Sequence, residues 1–179
     1  MTPTHPATVD TRNGFLFFWD DMPSMTSTPG SSCLSQWYPA VFTEHGITYN
    51  SAEQYMMAHK AMLFHDDQAY HRIIQSDHPS EAASLGRMVK NFDEQIWKNE
   101  RFKIVTAGSI LKFGQNSELN CYLQQTSPKT IVLANPWDKI WGIGLDEYAP
   151  DAGIPTNWKG LNLLGFALMN AREALGGGV

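Results

Sequence analysis

The sequence lacks several features that would assign it to a particular class of protein. Its two cysteines, Cys33 and Cys121, are too few for a disulfide scaffold. No apolar run approaches the roughly 20 residues of a membrane span, and the polar residues 1–13 contain no apolar signal-peptide core. These absences predict an intracellular protein, cytoplasmic or nuclear, with reduced thiols and no membrane segment, and nothing in the sequence indicates an obligate protein partner.

Positive charge is also scarce. Thirteen lysines and arginines against 18 acidic residues give a formal net charge of −5, which argues against a broad basic surface for duplex DNA. The six histidines show no metal-site spacing, and the chain has no His-Glu-x-x-His, Cys-x-x-Cys, Gly-x-Ser-x-Gly or P-loop motif. The sequence therefore predicts neither a metal site nor a bound cofactor.

What the chain does contain is the composition of a folded domain. Hydrophobic residues make up 42% and charged residues 17% of a chain of 179 residues, which is long enough to bury one full core. Apolar periodicity and capping residues predict a helix-rich α+β fold with a few short strands, in a single domain over residues 14–176 after a loose tail at 1–13. The expected helices cover 51–64, 66–75, 79–86, 93–113, 117 onwards and 161–175, and the expected strands cover 14–19, 40–42, 47–49 and 130–134.

The most informative segment is the apolar helix that begins near Ser51. Glu53, Met57 and Lys60 follow the spacing i, i+4, i+7 and share one helical face. A carboxylate and an ammonium on a helix that buries most of its surface either pair structurally or face a pocket where they do chemistry. An ordinary half-exposed face, or a capping-box role for Glu53, explains the spacing equally well.

A second candidate site is the loop that follows the last predicted strand. Asp138 could act as a base or accept a hydrogen bond from a hydroxyl group, and Trp141 offers a stacking plane. Gly142 and Gly144 would let a ligand approach the backbone closely. They do not form a dinucleotide-binding fingerprint, because the third glycine and the strand–helix context are absent. The alternative is a structured loop with Trp141 in the core.

Aromatic residues early in the chain form a third group. Phe18, Trp19, Ser35 and Trp37 combine flat rings with a polar neighbour, a combination that suits a base. Core packing is the better explanation for most of these rings. Arg87 could clamp a phosphate, and a solvated arginine at a helix end is an equally good interpretation.

Taken in order, these segments resemble the YbiA/NADAR family of N-glycosidases. The resemblance runs through nearly all of residues 15–175, and the ordered set is specific although no single piece is. The matching pieces are Phe18-Trp19, Ser35-Gln36-Trp37-Tyr38-Pro39, Gly46-Ile47-Thr48-Tyr49, Ser51-Ala52-Glu53-Gln54-Tyr55 with Lys60, Leu85-Gly86-Arg87, Phe92-Asp93 with Trp97, Lys112-Phe113 with Gln115-Asn116, Asp138 with Trp141-Gly142-Ile143-Gly144, residues 157–165, and Arg172-Glu173.

The resemblance implies hydrolysis of a C1′–N bond between a phosphorylated ribose and the amino group of a base. Glu53 would then act as acid/base or stabilise the oxocarbenium ion, Lys60 as nucleophile or charge partner, and Asp138 as a group that positions a ribose hydroxyl or water. The implied substrate contacts are Phe18, Trp19, Ser35, Trp37, Arg87, Trp97, Trp141, Gly142, Gly144 and Asn162.

Two substrate classes go with this resemblance: ADP-ribose on the guanine amino group of a nucleic acid, and the ribosylated pyrimidine phosphates of riboflavin synthesis. The many aromatic residues could hold an adenine as well as a second base, which favours ADP-ribosyl-guanine. A non-catalytic module that binds ADP-ribose or NAD would use the same pocket and is the rival from another class.

The chain departs from the family pattern in two places. Family members often have Ser-Asn-Phe where this chain has Ser35-Gln36-Trp37, and often a glutamate where it has Leu133. The first departure predicts altered base recognition, and the second removes an acid from the expected pocket.

Overall fold

The computed structural model describes residues 11–19 and 28–176. Within them lie α1 Ala52–Leu63, α2 Asp67–Ile74, α3 Pro79–Arg87, α4 Glu94–Gly114, α5 Ser117–Gln125 and α6 Leu163–Gly176, together with β1 Phe15–Phe18, β2 Phe42–Glu44, β3 Ile47–Tyr49 and β4 Thr130–Leu133. The helix-rich α+β class predicted from the sequence is confirmed. Most of the predicted tail, residues 1–10, lies outside the described residues.

Side-chain caps set where the helices begin. The Ser51 hydroxyl accepts a hydrogen bond from the backbone N–H of Gln54 at 3.2 Å, and the Asp66 carboxylate accepts one from Ala69 at 3.0 Å. Such caps satisfy backbone donors that have no partner within the helix, which explains why the predicted starts of α1 and α2 agree with the structure.

The two small sheets differ in kind. Strands β1 and β4 pair in parallel, whereas β2 and β3 form an antiparallel hairpin. Its turn is the pair His45-Gly46, with φ of 49° and 82°. Two consecutive positive φ values are typical of a two-residue hairpin turn. The first strand of the hairpin therefore extends to Glu44, two residues beyond the predicted end at Phe42.

The start of α6 also differs from the prediction. Leu161 was expected in the helix, but the helix begins at Leu163 because Asn162 has a φ of 51°. A left-handed residue at that point interrupts the helical path. The preceding loop, predicted to be irregular, contains two short 3₁₀ turns at Pro150–Gly153 and Pro155–Asn157.

Helix α1 lies at the centre of the molecule, where it packs against α2, α3 and α4. It is buried around most of its circumference, which is why its sequence is nearly continuously apolar. Gly108 of α4 allows close packing, since a Cβ there would lie 2.6 Å from the Tyr55 ring. Helix α6 packs on α4 and on β4, and this packing brings the loop after β4 towards the start of α1. None of the helices in the described ranges is both long and apolar enough to cross a bilayer.

Candidate active site

A cavity of about 300 Å³ opens beside the start of α1. Five parts of the chain form it: the residue after β1, the segment before β2, the first turns of α1, the end of β4 with the loop after it, and the start of α6. Its walls combine carboxyl, amide, indole and aliphatic groups, contributed by Trp19, Ser35, Gln36, Trp37, Glu53, Met56, Leu133, Asn135, Asp138, Trp141 and Leu164.

Glu53 lines this cavity with only 7% of its surface exposed. Its neighbour Gln54 takes the role of the reciprocal cap, because the Gln54 Oε1 accepts from the backbone N–H of Asn50 at 2.8 Å. The backbone N–H of Glu53 donates instead to the Gln36 carbonyl at 2.9 Å. The Glu53 carboxyl group is therefore not needed to cap the helix, and it faces the cavity.

The surroundings of Glu53 raise the pKa of its carboxyl group. Burial is the largest influence and raises its pKa, with a further upward contribution from the Asp138 carboxylate. The charge of Arg87, the polar side chain of Trp37 and the charge of Lys60 act in the opposite direction, and the resulting pKa is about 7. A carboxyl group with this pKa can both donate and accept a proton at neutral pH.

Lys60 lies next to Glu53 but outside the cavity lining. Its Nζ donates to the Gly86 carbonyl at 2.8 Å and lies 4.5 Å from the centre of the Phe92 ring and 5.5 Å from that of Trp97. Burial lowers the pKa of Lys60, while the Glu53 carboxylate raises it. Trp97 is thus placed against Lys60 and not in the cavity wall.

Asp138 both lines the cavity and shapes its loop. Its Oδ1 accepts from the backbone N–H groups of Ile140 at 2.9 Å and Trp141 at 2.8 Å. These bonds fix the turn that brings the Trp141 side chain to the cavity wall, where it also packs against the main core. Trp141 therefore lies in the cavity wall and packs against the core at the same time.

The other predicted contact residues divide into two groups. Trp19 and Trp37 stand in the cavity wall with 47% and 40% of their surface exposed, and Ser35 lies beside them. Phe18 is buried in the core, and the exposed Arg87 donates to the Ser84 hydroxyl at 3.2 Å, so neither belongs to the lining.

Gly142, Gly144 and Asn162 lie in the backbone framework behind the cavity. A Cβ on Gly142 would come within 2.8 Å of the Leu133 carbonyl oxygen, and Gly144 has a φ of 66°. The Asn162 side chain accepts from the Leu133 N–H and donates to the Ile131 carbonyl, each at 3.0 Å. These residues fix the loop against β4, and the structure places none of them in the lining.

Sequence reasoning missed several lining residues. Met56 follows Glu53 by one helical turn, so helical periodicity could have identified it. Asn135 opens the loop that the sequence had singled out, whereas Leu164 gave no comparable signal, because only the tertiary fold brings it to this place. Gln36, Trp37 and Leu133, where the sequence was expected to depart from the family pattern, all line the cavity.

Fold and site together describe an α+β protein with a small cavity open to solvent, in which a buried carboxyl group lies near a second carboxylate and two half-exposed indoles. The NADAR domain model matches residues 17–176, and the chain belongs to this family.

Curated relatives of this chain carry the name N-glycosidase. The chain is 47% identical over 150 residues to N-glycosidase R617 of Acanthamoeba polyphaga mimivirus, covering 80% of this chain and 88% of that protein. It is 30% identical over 130 residues to N-glycosidase YbiA of Escherichia coli (strain K12), covering 73% and 72%. The NMR structure of the E. coli protein YbiA shares the fold, with a TM-score of 0.68 at 24% identity over 93% of this chain and 90% of that one. N-glycosidases hydrolyse N-glycosyl bonds, and the predicted family and enzyme class are confirmed.

Proposed function

We propose that this N-glycosidase hydrolyses the C1′–N bond between a phosphorylated ribose and the amino group of a base, and that its substrate is ADP-ribose attached to guanine in nucleic acid. The observation that carries the proposal is Glu53, a cavity-lining carboxyl group with a pKa of about 7 beside the Asp138 carboxylate. A purely binding module has little need for a buried acid, whose ionised form is costly in such surroundings.

The reaction needs a proton for the leaving nitrogen and stabilisation of positive charge at C1′. As the bond breaks, its electron pair leaves with the base nitrogen, and water then adds to C1′ with loss of a proton. Glu53 in its protonated form supplies the proton, and its ionised form then stabilises the oxocarbenium ion and accepts the proton of the attacking water. In this proposal Asp138, which lines the same cavity, holds a ribose hydroxyl or the water.

Lys60 supports this chemistry in one of two ways. Its positive charge lies near Glu53 and can stabilise the ionised carboxylate. In the second way, the neutral amine, favoured by the lowered pKa, attacks C1′ of the ring-opened sugar and the amino group of the base leaves with its proton. Water then hydrolyses the Schiff base, which releases the sugar and frees the lysine. For this step the Lys60 Nζ would exchange its bond to the Gly86 carbonyl for a place in the cavity. The positive charge of Arg87 lowers the pKa of both Glu53 and Lys60. In this proposal the same guanidinium binds a phosphate of the substrate near the end of α1 that carries Lys60.

The aromatic walls support the larger substrate. Trp19, Trp37 and Trp141 present indole faces at the cavity, two of them half exposed. A cavity of about 300 Å³ accommodates the scissile ribose with its adjacent group, while the adenine of ADP-ribose would stack on the exposed indoles at the mouth. The same small volume favours the second candidate, a ribosylaminopyrimidine phosphate of riboflavin synthesis, because it lies at the lower end of the range for ligand pockets.

A product assay separates the two substrates. The purified protein is incubated with an ADP-ribosylated guanine oligonucleotide and, separately, with the ribosylaminopyrimidine phosphate, and released ADP-ribose or ribose 5-phosphate is quantified. We expect faster release of ADP-ribose, stronger inhibition by free ADP-ribose than by ribose 5-phosphate, and no effect of EDTA. Equal inhibition together with faster turnover of the pyrimidine compound would assign the protein to riboflavin intermediates, and no release from either would refute both.

A further inference from the structure

A second charged side chain is buried in this fold at a place that the proposed chemistry does not use. Lys112 of α4 has 1% of its surface exposed, and in the described part of the chain it forms no ion pair with a carboxylate. Its Nζ donates to the carbonyl oxygens of Cys33 at 2.7 Å and Ser35 at 2.8 Å. The rings of Tyr38 and Phe113 lie 5.6 and 5.0 Å from it.

Filling this position with an apolar residue of similar volume would avoid the cost of burying an amine. Unlike an apolar residue, lysine supplies hydrogen-bond donors, and its N–H groups fix the orientation of two specific carbonyl groups. Burial lowers the pKa of Lys112 to about 7. Even the neutral amine retains two N–H donors, which equals the number of carbonyls it serves.

The two carbonyls belong to the segment that reaches Glu53. One residue beyond Ser35, the Gln36 carbonyl accepts from the backbone N–H of Glu53 at 2.9 Å. The Ser35 hydroxyl accepts from the backbone N–H of Trp37 at 3.2 Å, and the Trp37 side chain lines the cavity together with Glu53. Hydrogen bonds and one short chain segment therefore join α4 to the backbone of Glu53 and to Trp37 in the cavity wall.

We propose that Lys112 is a positioning residue, which holds the segment of residues 33–37 (the anchor segment) so that the Trp37 indole keeps its place in the cavity wall with Glu53. The proposal rests on the catalytic role of Glu53 proposed above. It assigns to Lys112 no contact with the substrate, and it makes the orientation of Trp37 depend on a residue of another helix.

The test is a double-mutant cycle of Lys112→Met and Trp37→Phe, with Lys103→Met as the matched control. Lys103 lies on the same helix with its side chain exposed, and its Nζ is 3.8 Å from Glu100, so its loss removes a lysine without touching the anchor segment. If Lys112 acts through Trp37, each single variant should lower kcat/KM by about tenfold. The double variant should then have nearly the same kcat/KM as the less active of the two single variants. Lys103→Met should match wild type.

A spectroscopic measurement keeps the test independent of activity. The indole N–H signal of Trp37 is assigned in the ¹H–¹⁵N spectrum by its loss in Trp37→Phe. In Lys112→Met we expect it to change its chemical shift and to exchange faster with water, because the indole is no longer held in the cavity wall. A mere loss of stability would not move this signal in a protein that remains folded.

Several results would overturn the proposal. An unchanged Trp37 signal in folded Lys112→Met would overturn it. A double variant whose fold-loss in kcat/KM equals the product of the two single losses would also overturn it. Lys112→Gln, which keeps an amide donor, provides a second variant if methionine prevents folding. If neither variant folds, Lys112 supports the whole core and not the anchor segment in particular, and the proposal is wrong. Full activity of Glu53→Gln in the same assay would instead refute the proposed function.

Discussion

Replacing Glu53 by glutamine should change how the stability of this protein depends on pH. The carboxyl group has an ordinary pKa of 4.5 and a pKa of about 7 in the fold, mainly because it is buried. Between these two values the folded chain holds a proton that the unfolded chain has released. The free energy of unfolding should therefore fall as pH rises through this window, and above pH 7 the loss amounts to about 3 kcal/mol.

Glutamine keeps the shape of the side chain but cannot ionise. The stability of Glu53→Gln relative to wild type should thus rise by about 3 kcal/mol between pH 4.5 and just above pH 7. Taking the difference between the two proteins cancels the titration of most other groups. The titration of Lys112 affects stability in a separate pH range. Because its pKa is lowered from 10.5 to about 7, the free energy of unfolding increases as pH rises between these two values.

The measurement is urea unfolding followed by tryptophan fluorescence, with the free energy extrapolated to water at each pH. Turnover measured on the same samples should be lower in Glu53→Gln by on the order of a hundredfold, as expected for a lost acid/base group. A stability difference that stays constant across the window would show that the carboxyl group titrates normally. Near-normal turnover would remove Glu53 from the reaction.

Two further changes test its partners. Lys60→Arg keeps the positive charge but cannot form a Schiff base, so it should lose most of the turnover if Lys60 is the nucleophile. Borohydride should trap a sugar adduct on wild-type Lys60 if it is a nucleophile, and wild-type activity in Lys60→Arg would reject that role. Asp138→Asn retains an acceptor for the Trp141 N–H and should preserve the fold while lowering kcat, whereas Asp138→Ala should also weaken substrate binding. Circular dichroism checks that both variants are folded, and steady-state kinetics give their kcat and KM. Equal kcat and KM for the two variants would contradict this dual role.

Local signals in the sequence predicted most of the secondary structure. Ser51 and Asp66 cap their helices through bonds to residues three positions away, so short-range spacing was enough to place them. The prediction failed where a single backbone conformation decides the outcome. The left-handed Asn162 delays α6, and the turn at His45 and Gly46 places β2 two residues later than predicted.

The sequence by itself determined the helix that carries Glu53 and Lys60, since the apolar run around them requires burial and their spacing places them on one face. Only the tertiary structure decided that Glu53 reaches the cavity while Lys60 lies outside it against Gly86. Leu164 of α6, which is distant from Glu53 in the sequence, also lines the cavity only because of the tertiary fold. Proximity between distant segments, and the desolvation that raises the pKa of Glu53, arise from packing across the whole fold, and no local pattern encodes them.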